Sequence, residues 1–206
     1  MRKIFIDAGA NRGQSINLFI KKKPDAKEYE IHSFECTKSK HLVSKWEKEA
    51  EIARKFGCNV HLYKAAVWDQ DNDNFVFYDG GNESSSLLRE KYSAGKTTVK
   101  TIRLSKFIKE NFSKNDYIIL KIDVEGAEYS VFKDLIETGV INQINKIYGE
   151  LHGPKCGVTL EQDKQVLKDL KKHDHLIYFW DASNNDSINE KFYTDEWLTK
   201  FLHRKR

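Results

Sequence analysis

Apolar residues recur along this chain in two alternating periods. Ile4, Phe5 and Ile6 form a short apolar run that ends at Asp7 and breaks into Ala8-Gly9-Ala10-Asn11-Arg12-Gly13, which predicts a strand and then a small-residue turn. Ile16, Leu18, Phe19 and Ile20 predict a short helix, closed near Lys23 by Pro24. Residues 30–35 read as a second strand. Thr37 is a cap-like residue that opens a longer helix, with Leu42, Trp46, Ala50, Ala53 and Phe56 at helical spacing and Gly57 as its stop. Residues 59–63 supply a third strand.

The pattern then changes. Residues 75–78 and 98–102 read as two strands on either side of a long segment that opens with Gly80-Gly81-Asn82-Glu83-Ser84-Ser85-Ser86, an excursion from the main sheet. Leu104, Phe107 and Ile108 fit a short helix. Residues 117–122 give the strongest buried-strand signal in the chain; it ends at Asp123, and a helix follows over 127–137. Strand 144–151, helix 160–172, strand 176–180, an edge strand over 190–193 and a closing helix built on Trp197, Leu198 and Phe201 complete the order. Strands that alternate with helices in this way predict an α/β fold, a mostly parallel sheet covered on both faces. Ligands collect beyond the carboxyl ends of such strands.

A chain of 206 residues with 39% hydrophobic content buries a proper core and reads as one domain over 1–206. Charged residues make up 32%, as on a soluble surface, and no apolar run reaches the ~18 residues of a membrane span. Met1-Arg2-Lys3 precedes too short an apolar stretch for a signal peptide, so the expected location is cytoplasmic. Cys36, Cys58 and Cys156 have neither paired spacing nor a Cys-x-x-Cys motif, which fits a reducing compartment and argues against structural zinc. The net charge of +4 comes from 35 basic and 31 acidic residues mixed along the chain. Only His203-Arg204-Lys205-Arg206 is one-signed, and it reads as a solvated tail rather than a nucleic-acid footprint.

Four strand ends carry a consistent set of side chains: Asp7 with the glycine turn, Glu35, Asp123 with Glu125, and Glu150 with His152. Glu35 follows Gly13 at roughly the 20-residue spacing at which an acid accepts hydrogen bonds from a ribose diol, which favours an adenosine-containing cofactor. The turn lacks the full Gly-x-Gly-x-x-Gly pattern that a pyrophosphate requires. Asp7 would also repel a pyrophosphate while suiting the ammonium and sulfonium of S-adenosylmethionine. Methyl transfer is therefore favoured over hydride transfer; a nicotinamide-dependent oxidoreductase is the first alternative and a nucleic-acid methyltransferase the second. No Walker loop, His-Glu-x-x-His helix or Gly-x-Ser-x-Gly elbow occurs.

These residues resemble the FkbM-type methyltransferases, a branch of the class I enzymes that use S-adenosylmethionine. The likeness lies in residues 6–13, in Phe34-Glu35, and above all in Leu120-Lys121-Ile122-Asp123-Val124-Glu125-Gly126-Ala127-Glu128. Ala65-Ala66-Val67, Ser84-Ser85-Ser86-Leu87 and Glu150-Leu151-His152 add to it. The resemblance implies a Rossmann-like sheet of seven strands with one antiparallel member near the end. It also implies that Asp7, Gly9, Asn11 and Gly13 surround the amino-acid part of the cofactor, that Glu35 holds its ribose, that Ala66 lies near the adenine, and that Asp123 faces the cofactor. The implied acceptors are hydroxyl groups, often on sugars, glycans or other small molecules. Many relatives roof the active site with an N-terminal extension. Here the first strand begins by Lys3 or Ile4, so either the 75–93 excursion and the closing helix form the roof or the chain is a domain of a larger enzyme.

A sugar hydroxyl needs a positioned base. Asp123 is the first choice because the buried run before it fixes its place; His152, with the better intrinsic pKa, is second, and Glu125 and Glu150 complete the set. Glu128 reads more simply as a helix-dipole partner, and Gly126 as a tight-turn residue. Asp123, Glu125 and Glu150 also offer hard oxygen ligands suited to magnesium or manganese, but spacing alone does not assign a metal, and none is assigned. Arg89, Lys91 and Lys96 read as an exposed charged face. Tyr92, Trp180 and Trp197 read as core aromatics more readily than as sugar platforms.

Overall fold

The computed structural model describes residues 1–79, 95–181 and 187–203. In chain order the elements are β1 (Lys3–Ala8), α1 (Gln14–Lys22), β2 (Tyr29–Phe34), α2 (Lys40–Phe56), β3 (Asn59–Tyr63), β4 (Ala66–Trp68), β5 (Asn72–Asp79), β6 (Gly95–Arg103), α3 (Leu104–Asn111), β7 (Tyr117–Ile122), α4 (Glu128–Glu137), β8 (Ile144–Gly149), α5 (Leu160–Lys171), β9 (Ile177–Asp181) and β10 (Ser187–Phe192). A helical turn, Asp195–Trp197, runs into a π-helical one, Leu198–Leu202.

Seven strands form one sheet in the order β10-β9-β8-β7-β1-β2-β3. All neighbours are parallel except β10, which pairs antiparallel with β9 at the edge. The alternation of periods predicted the mostly parallel sheet, and the family resemblance implied its Rossmann-like form, with seven strands and one antiparallel member near the end. The apolar run of β1 divides by parity. Ile4, Ile6 and Ala8 join Leu120, Ile122, Leu104, Ile108, Phe132 and Leu135 in one core layer. Phe5 joins Ile31, Ile119, Phe19, Trp46 and Ala50 in the other. Burial on both faces explains why β1 and β7 read as unbroken apolar runs.

The excursion is a separate three-stranded sheet, β4-β6-β5. Its first strand, Ala66–Trp68, was not anticipated, because three residues carry too little pattern to register as a strand. The expected Thr37 cap is also corrected. α2 starts at Lys40 after Ser39, with no side-chain cap. Thr37 instead donates its amide to Glu35 (2.7 Å) and accepts the Ser39 amide on its hydroxyl (3.2 Å). Gly57 closes α2 with φ 109°, as its sequence position implied.

Trp180 packs on Phe5 and Tyr148, and Trp197 on Phe179 and Tyr193, so both complete cores. Cys36 and Cys58 are free thiols. Among the described residues no helix is long and apolar enough to cross a membrane. Ser84–Ser86, Arg89, Lys91, Tyr92 and the last three residues of the basic tail lie outside the described residues.

The amino ends of β1 and β7 are fastened by Asp116. It accepts the Arg2 amide (2.9 Å), Arg2 Nε (3.1 Å), Arg2 Nη2 (2.7 Å) and the Ser113 amide (2.9 Å). Burial alone would raise this carboxyl, but these donors outweigh it and hold the group down at about 2. A depressed carboxylate stabilises the fold above its unfolded value, and that contribution is lost as pH falls through the folded one. Asp116→Asn should therefore lower unfolding stability by about 1.5–3 kcal/mol at neutral pH. Urea melts should also show a shallower loss of stability than wild type as pH falls from about 3.8 to about 2.

Candidate active site at the carboxyl ends of the central strands

Asp7 and Lys121 occupy facing positions on β1 and β7, and Asp7 faces Ser33 on β2. Parallel register therefore lines up three polar residues at the carboxyl end of an otherwise apolar sheet. Asp7 accepts Ser33 Oγ at 2.9 Å, and Ser33 Oγ accepts Trp46 Nε1 at 2.9 Å. The Lys121 ammonium lies 3.4 Å from Asp7 Oδ1 and 3.4 Å from Asp123 Oδ2, and it donates to the Gly9 carbonyl at 2.6 Å. Burial draws the Asp7 carboxyl upward against the pull of Lys121. Asp123 and Asp7 keep the ammonium charged against its own burial.

The turn after β1 leans on this network. Gly9 has φ 86°, and a Cβ there would collide with the Asp123 carbonyl oxygen, so only glycine fits. Its amide and that of Ala10 donate to the Phe34 carbonyl, at 3.2 and 2.9 Å. Asn11 is left-handed with φ 51°. Its amide reaches Glu35 Oε2 at 2.6 Å, while its own Oδ1 is enclosed without a hydrogen-bond partner. Glu35 Oε1 accepts the amides of Cys36 (2.8 Å) and Thr37 (2.7 Å). Burial pushes the Glu35 carboxyl up, against the pull of these three amides.

A second turn follows β7. Glu125 (φ 52°) and Gly126 (φ 104°) are both left-handed, which reverses the chain sharply before α4. Glu128, fully buried, accepts the amides of Val124 and Gly126, each at 2.8 Å, and meets His152 Nδ1 at 3.0 Å. It stands in the first turn of α4, as a dipole partner would, but its larger work is to hold this turn and the imidazole. His152 Nε2 lies 3.7 Å from Asp123, 3.6 Å from Glu125 and 3.7 Å from Glu150. Burial would lower this histidine, yet Glu128, Asp123 and Glu125 outweigh it and raise the imidazole to about 9. At neutral pH His152 is a cation.

Asp7, Glu35, Asp123, Glu125, Glu150 and His152 thus share one edge of the sheet. Ala66 lies in the smaller sheet, paired with Thr101. Its apolar cluster includes Ala127 and packs on Cys36 and Val124, next to the turns after β2 and β7. Lys121 and the holding role of Glu128 were missed in the sequence. The available signal was a lysine inside the apolar run Ile118-Ile119-Leu120-Lys121-Ile122, since a charged residue in a buried strand implies a partner. Asp123, Glu128 and His152 each offer a ligand atom within 4.8 Å of the others. Glu128, however, is already engaged by two amides and the imidazole.

The fold is Rossmann-like, with acids gathered at the carboxyl ends of its strands. The profile of the methyltransferase FkbM domain matches residues 7–182, and the chain belongs to that family. No curated protein and no solved structure matches the chain.

Lys121→Met should cost about 3–5 kcal/mol in denaturant unfolding, because it strands Asp7 in the interior, and adding Asp7→Asn should recover part of the loss. For His152, a raised folded pKa means stability fully present below about 6.5 and lost as pH rises through about 9. NMR titration should find the imidazole near the upper value in wild type and displaced toward 6.5 in Glu128→Gln.

Proposed function

We propose that this chain transfers a methyl group from S-adenosylmethionine to a hydroxyl of a sugar, glycan or related small molecule. The observation that carries the reading is Asp123, one-third exposed at the end of the central strand, with Lys121 beside one oxygen and His152 near the other.

The turns suit the cofactor. Glu35 has about four acceptor positions as a carboxylate, and three are used by amides, which leaves one for a ribose hydroxyl. Asn11 Oδ1 is an enclosed acceptor in want of a donor, as the cofactor's amino group would be. Asp7 is fully buried against Lys121, so it acts by shaping the Gly9 turn rather than by touching the ligand. When bound, S-adenosylmethionine would supply an electrophilic methyl carbon on a sulfonium whose leaving group is a neutral thioether.

Asp123 is the group that takes the hydroxyl proton. His152 is already protonated at neutral pH, so it orients Asp123 rather than serving as the acceptor, and the proton leaves to solvent from Asp123 itself, whose side chain is one-third exposed. Glu125 and Glu150 beside it make the mouth acidic, which supports an uncharged acceptor and works against a polyanion such as nucleic acid.

Calorimetry with S-adenosylmethionine tests the cofactor. Wild type should bind it, and Glu35→Ala should bind at least about tenfold more weakly, a loss of ~1.4 kcal/mol. Asp123→Asn should lower kcat by about 10²–10⁴ on a hydroxyl acceptor that the wild type methylates. Binding of a nicotinamide cofactor in place of S-adenosylmethionine would overturn the reading.

A further inference from the structure

Away from the methyl-transfer mouth, β2 and β3 bring two histidines and a glutamate to one spot. Glu30 and His32 are two residues apart on β2 and so share a face. The parallel register puts His61 of β3 directly beside His32. The two imidazoles stack, with centroids 4.8 Å apart and planes 15° from parallel. Glu30 Oε1 lies 3.0 Å from His32 Nε2 and 3.3 Å from His61 Nε2. β3 is the outer strand of the sheet, and the cluster grades from buried His32 to His61, whose side chain is 41% exposed.

Two features point to a ligand rather than to a closed polar cluster. His61 Nε2 is enclosed and makes no hydrogen bond although it faces the carboxylate. His32 Nδ1 meets the Tyr63 hydroxyl at 2.9 Å. That contact fixes the ring through its second nitrogen, in the manner of the partners that orient metal-bound imidazoles, and an ion at Nε2 would take the place of the hydrogen bond that Nε2 makes with Glu30 Oε1 at 3.0 Å. We propose that Glu30, His32 and His61 bind a divalent transition ion, zinc foremost, with water in the remaining position.

The dimensions fit. Zinc at about 2.0–2.2 Å from nitrogen and oxygen ligands separates neighbouring ligand atoms by about 3.3–3.5 Å in a tetrahedron. The separations from Glu30 Oε1 to the two nitrogens are 3.0 and 3.3 Å, and all three ligand atoms lie within 4.8 Å of one another; because the two rings stack nearly parallel, the half-exposed His61 must rotate to aim its Nε2 at an ion held by His32. A two-histidine, one-carboxylate set suits zinc better than magnesium, which prefers oxygen alone. The charged neighbour is Arg2, whose Nη1 lies 3.7 Å from Glu30 Oε2. It sits at the other oxygen, and Asp116 holds the guanidinium.

Glu30 is five residues of strand from Glu35, about 16 Å, so the ion is a tether between the outer strand and its neighbour and not a participant in methyl transfer. The inference is independent of the function proposed above.

Zinc titration into metal-stripped protein, with cobalt(II) as a visible-absorption probe of tetrahedral geometry, tests it. One equivalent should bind, and at a hundredfold excess over Kd zinc should raise the melting temperature by about 5–10 °C. His61→Ala and Glu30→Gln, checked for folding by circular dichroism, should each weaken binding at least about tenfold and abolish the melting shift, while S-adenosylmethionine affinity stays unchanged. Absence of zinc binding in wild type would overturn the proposal. So would binding that survives His61→Ala but is lost in His152→Gln, since the ion would then sit at the mouth.

Discussion

Lys121 carries a full positive charge into the interior at the end of β7, only 2% exposed, where an ion without partners would cost several kcal/mol. Asp7 and the Gly9 carbonyl, from β1 and its turn, and Asp123, from the end of β7 itself, supply those partners. Buried ion pairs seldom add stability over well-packed apolar groups. What this one adds is position. A continuous polar line runs from Trp46 through Ser33 and Asp7 to Lys121 and Asp123, crossing α2, β2, β1 and β7, so the carboxyl ends of three strands and the turn above them are tied together.

Asp123 is where this line meets a second one. Its Oδ2 faces Lys121 and its Oδ1 faces His152, and His152 is in turn held by Glu128, which also pins the turn after β7. One carboxylate thus stands between two cations that belong to different networks. Rotating it would weaken both contacts, so its direction toward the mouth is set without any hydrogen bond from a flexible surface group.

The alternation of periods made the parallel sheet readable because β1, β2, β3, β7 and β8 each end in a recognisable polar residue or turn. Parity along β1 divides its residues between the two faces of the sheet, while the helices that cover each face are seen only in the packing. Short or conditional features were not readable. Ala66–Trp68 is three residues long and is a strand only because β6 pairs with it. Thr37 has the right side chain for a cap, but Glu35 captured its amide and moved the helix start to Lys40. Within the site, the acids could be named from their places at strand ends, whereas the charge state of His152 depends on Glu128, 24 residues away. His32 and His61 belong together only once the β2–β3 register is known.

The two turns at the mouth share a device. Each contains a non-glycine residue in the left-handed region, Asn11 and Glu125, a conformation that costs roughly 1–3 kcal/mol. Each is faced by a glutamate that accepts amides of the turn, and such charge-assisted bonds contribute about 1.5–3 kcal/mol apiece. Glu128 makes two, to Val124 and Gly126, which exceeds the strain at Glu125 and leaves that turn rigid. Glu35 makes one to its turn, at Asn11, and the Gly13 amide, donating to the Ala10 carbonyl at 2.8 Å, closes the turn around Asn11. The first turn thus rests on one carboxylate bond where the second rests on two. A ligand hydroxyl that joined Glu35 would draw on the same carboxylate that keeps Asn11 in place, coupling occupancy of the mouth to the shape of its first turn.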